Sequence, residues 1–469
     1  MKSTIRDQMR MDMADKNLFA RAAELSQSYA ESINDRSVFP EPAALNGLRV
    51  FDEPLPEKGD AAGKILELLH EAGSPATVAQ TGRRYFGFVN GGVVPVALAV
   101  KWLTDFWDQN AALHVISPVA SKLEQVCERW LTDILGLGDG VSAGFVGGSS
   151  VAIFGGLAAA RYRCLANQGW DVNAKGLAGA PPIRVIASDQ AHGTVRKAIA
   201  LLGLGTDNVE WLATDDQGRL IADPLPELND ATIVCLQAGN VTSGSFDPFR
   251  AVCEQASVAG AWVHIDGAFG LWASVSDATR HLTDGIELAQ SWSLDGHKTL
   301  NAPYDNGILL CRDRDALVSA MQANGSYIVY GEERDGMLYT PEMSRRARAA
   351  ELWATLRFLG RDGLDELVSG LHDRARQFAE ELGRAGFRIL NDVVFNQVVV
   401  AGNTEAETLR TLELVQQSGE CWAGGAEWQG ERIIRVSVCS WATTHEDVTR
   451  SVAAFATAKE QAARELFAA

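Results

Sequence analysis

Two segments of the sequence hold residues that could act together in catalysis. In SWSLDGHKTLNAPYDN, at 291–306, Lys298 directly follows His297. In VHIDGAFG, at 263–270, a short apolar run ends in Asp266. A lysine can form a Schiff base with an aldehyde, and a buried acid can keep a pyridine nitrogen protonated so that the ring takes up electrons. The two segments therefore fit an enzyme that uses pyridoxal 5′-phosphate.

Two further motifs lie at predicted junctions between a strand or turn and a helix. VGGSS, at 146–150, leads into a helical pattern, and its backbone N–H groups, two hydroxyls and positive helix end suit a phosphate. It has neither the GK[ST] of a Walker A loop nor the GxGxxG spacing of a dinucleotide site. SDQAHGTVR, at 188–196, follows a predicted strand and puts His192 where ligands bind in open α/β folds. Taken singly, the first motif is more typical of a serine-capped turn, and the second is more typical of a structural histidine.

The regular pattern from about residue 140 alternates strands with helices. Apolar runs predict strands at 183–187, 232–236, 262–265 and 307–311, and helical spacing predicts helices at 151–166, 193–202, 249–259 and 344–359. This order predicts an α/β fold with a mainly parallel central sheet and helices on both faces. The expected division is an N-terminal helical arm at 1–85 that forms a dimer, a large cofactor domain at 86–345 and a smaller α+β domain at 346–469.

Composition narrows the classes of function. The chain has 469 residues and a net charge of −18, which argues against a nucleic-acid partner and against an anionic membrane surface. Its seven cysteines are scattered without a CxxC pair, so no zinc site is expected and a reducing compartment is favoured. We found neither a secretory signal nor a membrane-spanning apolar run, so a cytoplasmic location is expected.

The ordered segments SDQAH, HIDGAFG and SWSLDGHK resemble motifs of the group II pyridoxal phosphate-dependent amino acid decarboxylases. That family includes the aromatic-L-amino-acid, histidine, tyrosine and glutamate decarboxylases. The similarity runs from RYFGF, at 84–88, to IIRVSVCSW, at 433–441, and covers most of the chain. It implies a fold-type I (aspartate aminotransferase-like) fold, pyridoxal 5′-phosphate as cofactor, and a homodimer with active sites at the subunit interface. The implied reaction converts an L-amino acid to its amine and CO2 through a Lys298 Schiff base and a quinonoid intermediate.

The resemblance also implies roles for individual residues. Lys298 is the Schiff-base lysine, Asp266 pairs with the pyridine nitrogen, Ala268 packs under the ring and His192 stacks on the opposite face. The implied contacts of the phosphate and its surroundings are Gly148, Ser149, Ser150, Asn240, Ser291 and His297. The residues implied near the substrate by analogy are Phe86, Phe88, Asn90, Trp107, Asn110, His114 and Arg435. Tyr327 is the implied proton donor.

Some alternatives stay open at this point. Thr299 replaces a tryptophan found in many relatives, and VGGSS differs from their usual phosphate turn, so the substrate pocket is not defined. Other fold-type I enzymes, such as aminotransferases, desulfurases and aldolases, also have the acid before the lysine in their sequences. This order therefore fits their reactions as well as decarboxylation. The combination of His192 and Tyr327 favours decarboxylation. A catalytically silent scaffold is disfavoured by the intact set of Lys298, Asp266 and His192.

Overall fold

The structure, a computed structural model, describes residues 4–322 and 330–468. Its N-terminal part consists of helices joined by loops. These helices are α1 (Ile5–Ala14), α2 (Lys16–Ser32), α3 (Pro42–Gly47) and α4 (Ala62–Leu68). A small apolar cluster, centred on Ile33, Val38, Ala79 and Tyr85, helps to hold this part to the body of the molecule, together with hydrogen bonds such as that from Val38 N to the Gly419 carbonyl.

A seven-stranded sheet forms the centre of the fold. In chain order, the elements of this region are β1 (Tyr85–Phe86), α5 (Pro95–Trp107), α6 (Pro118–Ile134), β2 (Ser142–Val146), α7 (Ser149–Asn167), α8 (Val172–Lys175), β3 (Arg184–Ser188), α9 (Gly193–Leu201), β4 (Val209–Leu212), β5 (Thr232–Gln237), α10 (Phe249–Ala259), β6 (Trp262–Asp266), β7 (Ser291–Asp295), β8 (Gly307–Cys311) and α11 (Arg314–Met321). The strand order is β2–β8–β7–β6–β5–β3–β4. Only β8 runs against its neighbours, so the predicted mainly parallel sheet is confirmed.

The central strands are buried on both faces because helices cover each side. Along β5, Ile233 and Cys235 face one apolar core, while Val234 and Leu236 face the other. Successive side chains of a strand point to opposite faces, so an apolar run without alternation suits a sheet between two layers of helices. This burial holds the strand ends, and the residues that follow them, in fixed positions.

The C-terminal part adds a second, smaller sheet with its own core. Its elements are α12 (Ala349–Arg384), β9 (Arg388–Ile389), β10 (Gln397–Ala401), α13 (Glu405–Ser418), β11 (Trp422–Trp428), β12 (Glu431–Ser437) and α14 (His445–Ala468). The strand order is β1–β11–β12–β10–β9, and β1 joins β11 in parallel from the N-terminal side. Within the described ranges, no helix is both long and apolar enough to cross a membrane.

Two expectations from the sequence pattern need correction. The helix predicted at 344–359 begins instead at Ala349 and continues to Arg384, with a break in helical geometry at Gly360, where φ is 60°. The residues just before Ala349 stay outside the helix because their arginine side chains bind carboxylates elsewhere in the fold. The pattern also missed β7, whose alternation of serine with large apolar residues resembles a loop as much as a strand.

One of these arginines belongs to a buried ion cluster that joins α6 to the segment before α12. Glu124 is 1% exposed, with Oε1 2.6 Å from Arg345 Nη1 and Oε2 3.1 Å from Arg334 Nε. Arg334 also donates to Glu128 Oε2 at 2.6 Å and to the carbonyl of Ala143. Removing one partner of such a cluster leaves a buried charge without compensation.

We therefore predict that Glu124→Gln lowers the free energy of unfolding by about 3 kcal/mol, because two buried guanidinium groups lose their shared carboxylate. Urea unfolding followed by tryptophan fluorescence measures the change. The control is Asp133→Asn, which breaks an exposed pair with Arg361 and should cost less than about 1 kcal/mol. Equal effects of the two substitutions would show that the cluster does not stabilise the fold.

Candidate active site

The candidate site lies at the carboxyl ends of two neighbouring parallel strands. Asp266 is the last residue of β6 and Asp295 the last of β7. The register pairs Asp266 with Ser293, so Asp295 lies two residues further along the same edge. Both carboxylates are buried, with exposures of 5% and 1%. Two buried acids at one sheet edge require positive partners nearby.

Lys298 supplies one of these positive charges from the turn that follows β7. Its Nζ lies 2.9 Å from Asp295 Oδ2, and its side chain is 22% exposed. The backbone of the turn is held from several directions, because Asn301 N donates to the Lys298 carbonyl and Thr299 Oγ1 donates to the Phe269 carbonyl. A Cβ atom on Gly91 would come within 2.1 Å of the Lys298 carbonyl oxygen. Gly91 therefore lets a neighbouring loop fix the lysine backbone.

Asp266 presents one free oxygen to the same space. Its Oδ1 accepts hydrogen bonds from Ala268 N at 3.2 Å and Ser293 Oγ at 3.4 Å. Among the described residues, none donates to Oδ2. Burial raises the pKa of Asp266, and the charges of His192 and Lys298 oppose that rise. A protonated ring nitrogen at Oδ2 would satisfy this carboxylate.

His192 is the N-cap of α9 and faces the two acids from a third strand. Its Nδ1 accepts from Thr194 N at 3.3 Å and lies 2.7 Å from Thr194 Oγ1. Although the residue is open to solvent on one side, the surrounding protein lowers its pKa, and the charge of Asp266 acts in the opposite direction. The charges of Lys298 and Arg435 lower the pKa of His192 further.

The glycine-serine turn before α7 lies against the Lys298 turn. Gly148 is the N-cap of the helix, and a Cβ atom on it would lie 3.5 Å from the His297 ring. His297 Nδ1 accepts from Asn306 N at 3.0 Å, so Nε2 carries the proton of the neutral ring. Ser149 N–H points into the site and donates to Asp295 Oδ1 at 2.6 Å. The turn, the helix end and His297 together form a cradle suited to an anion.

Two residues of the site were missed by the sequence reasoning. Asp295 ends a buried strand just as Asp266 does, so the same pattern was available once β7 was recognised. Tyr304 stacks on His297 with ring centroids 4.2 Å apart and donates to Asn90 Oδ1 at 3.1 Å. Burial raises the pKa of the Tyr304 hydroxyl, and the nearby charge of Asp295 adds to that rise. In the sequence, only its position six residues after Lys298 could have indicated that Tyr304 belongs to the site.

Two of the implied cofactor contacts, Ser291 and Asn240, bind other parts of the protein. Ser291 begins β7, about 13 Å along the strand from Asp295, and its Oγ binds Trp262 Nε1 and His264 Nδ1. It therefore does not reach the phosphate cradle. Asn240 Oδ1 accepts hydrogen bonds from two backbone N–H groups of its own turn. The Asn240 side chain therefore stabilises that turn.

Four of the implied substrate residues make their contacts elsewhere in the protein or lie on its surface. Phe86 is fully buried and packs on Phe378 at 4.8 Å, so it belongs to the C-terminal core and not to a pocket. His114 binds Ser121 and Asp335, away from the Lys298 turn. The Asn110 side chain holds the segment before α12, and Trp107 ends α5 with half of its surface exposed.

Of the other implied substrate residues, Asn90 lies beside the site, because it accepts the hydrogen bond from Tyr304. Phe88 is exposed and stacks near Trp422, with centroids 6.1 Å apart. Arg435 lies on β12, with Nη1 donating to the Val241 carbonyl at 2.8 Å. Tyr327 lies outside the described residues, so its implied role stays a prediction.

These groups fit pyridoxal phosphate. The free Oδ2 of Asp266 matches a protonated pyridine nitrogen, and the N-terminus of α7 with its glycine turn matches a phosphate. Lys298 provides an amine between them. The cradle depends on close packing, because a Cβ atom on Gly307 of β8 would lie 2.3 Å from Gly148 Cα.

We predict that Gly307→Ala weakens binding of pyridoxal phosphate at least 10-fold, because the phosphate turn must shift to admit the methyl group. Fluorescence titration of the cofactor-free protein measures the dissociation constant. Pyridoxal, which lacks the phosphate, should bind the variant and the parent equally. The control Gly63→Ala places its methyl group in open space. An unchanged affinity for the phosphate ester in Gly307→Ala would contradict the placement of the cradle.

Comparison with known proteins agrees with this geometry. Residues 45–401 match the family described as the pyridoxal-dependent decarboxylase conserved domain. The acidic amino acid decarboxylase GADL1 of Mus musculus is 28% identical over 367 residues, which cover 75% of this chain and 65% of that relative. The cysteine sulfinic acid decarboxylase of Homo sapiens is 28% identical, with 76% of this chain and 74% of that relative covered.

Solved structures share the fold along nearly the whole chain. The crystal structure of Oryza sativa TDC with PLP and tryptamine has a TM-score of 0.87 at 22% identity and covers 96% of this chain and 98% of its own. The apo form of mouse CSAD has a TM-score of 0.86 at 23% identity, with 95% and 99% covered. The fold-type I prediction is thus confirmed. On its matched motifs, its fold and its site, this chain belongs to the pyridoxal-dependent decarboxylase family.

Proposed function

We propose that this chain converts a small acidic L-amino acid to its amine and CO2, using pyridoxal phosphate. The observation that carries the proposal is the meeting of Lys298, Asp266 and His192 at one sheet edge, beside a cradle for phosphate. The relatives named acidic amino acid decarboxylase and cysteine sulfinic acid decarboxylase support the acidic substrate. Since the match spans 65% of the length of the mouse relative, the activity is inferred from the site together with the family.

Each residue of the site has a task that its surroundings explain. When bound, pyridoxal phosphate supplies an aldehyde that condenses with amines and a ring that accepts the electrons of the bond that breaks. Lys298 provides the resident amine. Asp266 Oδ2 would hold the proton on the pyridine nitrogen of the bound cofactor, because a buried carboxylate without a cation is unfavourable. His192, fixed through Nδ1 by Thr194, covers the opposite side of the ring space.

Arg435 is the cation of the site that is available to a substrate carboxylate. The side-chain nitrogens of Lys298, Arg346 and Arg348 each lie within 4 Å of a carboxylate oxygen of the protein. Arg435 contacts a backbone carbonyl instead, and no carboxylate of the described chain pairs with it. Burial also lowers the pKa of Arg435. A carboxylate ligand would compensate the charge of this arginine.

We expect CO2 and amine from aspartate, glutamate or cysteine sulfinate, and not from tyrosine or tryptophan. Arg435→Gln should lower kcat/KM for the acidic substrate about 100-fold, because a charge-assisted pair is lost. Mass spectrometry of the products and measurement of CO2 report both quantities. The control is Arg432→Gln, which changes an exposed arginine on the same strand.

Two results would overturn parts of this proposal. Preferred turnover of tyrosine or tryptophan would refute the acidic substrate. Formation of an oxo acid without CO2 would refute decarboxylation and favour an aminotransferase reaction.

We further propose a cytoplasmic homodimer. All seven cysteines are free and buried, which supports a reducing compartment. Eight large apolar side chains on and near α5 are exposed between residues 98 and 119: Leu98, Trp102, Leu103, Phe106, Trp107, Val115, Ile116 and Val119. The arm packs beside them, with Phe19 and Phe106 centroids 4.9 Å apart. Such a surface suits a second copy of the chain, with an interface on the order of 2,000 Å² or more.

Light scattering should therefore give twice the chain mass of 50.5 kDa. Leu103→Asp should dissociate the dimer and reduce activity, because a charge would be buried in an apolar contact. Val258→Asp is the matched control, since Val258 is 92% exposed on α10, away from α5. A fully active monomer would contradict the proposed assembly.

A further inference from the structure

Asp295 makes contacts that the tasks described so far do not explain. Its carboxylate is 1% exposed and joins two parts of the site, with Oδ2 2.9 Å from Lys298 Nζ and Oδ1 2.6 Å from Ser149 N. One oxygen therefore binds the reactive amine, and the other occupies the helix end to which the phosphate is assigned. We propose that Asp295 is a positioning residue that holds the free Lys298 amine through an ion pair and competes with phosphate for the N-terminus of α7.

The backbone around Asp295 prevents its carboxylate from moving away. Asp295 N donates to the Ala268 carbonyl at 2.9 Å, and its own carbonyl accepts from Trp272 Nε1 at 2.9 Å. Its strand also pairs with Gly307 of β8. A carboxylate fixed in this way can change partners only by small side-chain rotations, so its charge stays between the amine and the cradle.

The charged and titratable groups around Asp295 come from every element packed against it. They are Lys298, His297 and Tyr304 in the turn after β7, Asp266 on β6, His192 at the start of α9, and Asp305 and Arg348 beside Gly147. Asp305 is already bound by Arg346 and Arg348. Lys298 is the base in direct contact with Asp295, and His297 Nε2 lies further away at 3.7 Å.

Two consequences follow from this charge distribution. The ion pair keeps the Lys298 amine in place whenever its nitrogen is not covalently engaged, because the Asp295 carboxylate lies 2.9 Å from it. A phosphate that enters the cradle meets a second negative charge and must share or replace the Ser149 hydrogen bond. Asp295 thus opposes loading of a phosphate ester while it stabilises the released lysine.

The test uses the full-length chain freed of cofactor, and two probes. Pyridoxine 5′-phosphate carries the phosphate but has no aldehyde, so it reports the cradle without condensing with Lys298. An amine-acylating reagent, with peptide mass spectrometry, reports the reactivity of Lys298 at pH 7. Asp295→Asn should bind pyridoxine 5′-phosphate about 10-fold more tightly. Its Lys298 should be labelled about 10-fold faster, because the amine is no longer held by the carboxylate.

The controls separate this role from a structural one. Asp313→Asn changes a carboxylate that also binds a helix N-terminus and a basic side chain, Arg163, but lies beyond the opposite end of β8. It should leave both readouts unchanged. Pyridoxine without phosphate should bind the parent and Asp295→Asn alike. If the asparagine variant does not fold, the same measurements are made on Asp295→Ser. Its hydroxyl can accept a hydrogen bond from Ser149 N but carries no charge.

Unchanged or weaker binding of pyridoxine 5′-phosphate, or unchanged labelling of Lys298, would overturn the proposal. The inference rests on cofactor use by the family and not on the proposed acidic substrate. Because both readouts are taken without any amino acid, their failure would leave the substrate assignment untouched, and the reverse also holds.

Discussion

The site depends on two carboxylates buried at the ends of adjacent strands. Asp266 and Asp295 complete strands whose other residues lie in an apolar sheet between two layers of helices. A buried carboxylate is stable only with a positive or hydrogen-bonding partner. Lys298 meets this need for Asp295, and the free oxygen of Asp266 leaves a place for a protonated ring nitrogen. The requirement for charge compensation thus determines both the position of the lysine and the kind of cofactor that fits.

Close backbone contacts turn this charge pattern into a defined geometry. Gly91 lies against the Lys298 carbonyl and Gly307 against Gly148, at distances that leave no room for a side chain. The lysine turn and the phosphate turn are therefore fixed relative to the sheet without a flexible side chain between them. Sites of this kind gain from pre-organised groups, since small displacements of a reacting atom are costly.

The sequence pattern put Asp266 and His192 at the ends of predicted strands, and the structure has Asp266 at the end of β6 and His192 after β3. Their roles in catalysis stay predictions. Asp266 and His192 follow apolar runs that become central strands, and such strand ends meet at one edge of a parallel sheet. Ser291 was misplaced because it lies at the start of β7, and only the position of the strand shows which end faces the site. Phe86 belongs to a short strand of the second sheet, so its contacts with Phe378 depend on tertiary packing between distant segments. Asp295 and Tyr304 became recognisable once the turn around Lys298 was in place.

The central claim is that Lys298 is the amine that carries the cofactor. The most direct measurement is borohydride reduction of the holoenzyme, followed by digestion and peptide mass spectrometry. The account predicts one phosphopyridoxyl group, on the peptide that contains Lys298, and its loss in Lys298→Ala. A phosphopyridoxyl group on a different lysine of the unaltered protein would contradict the account.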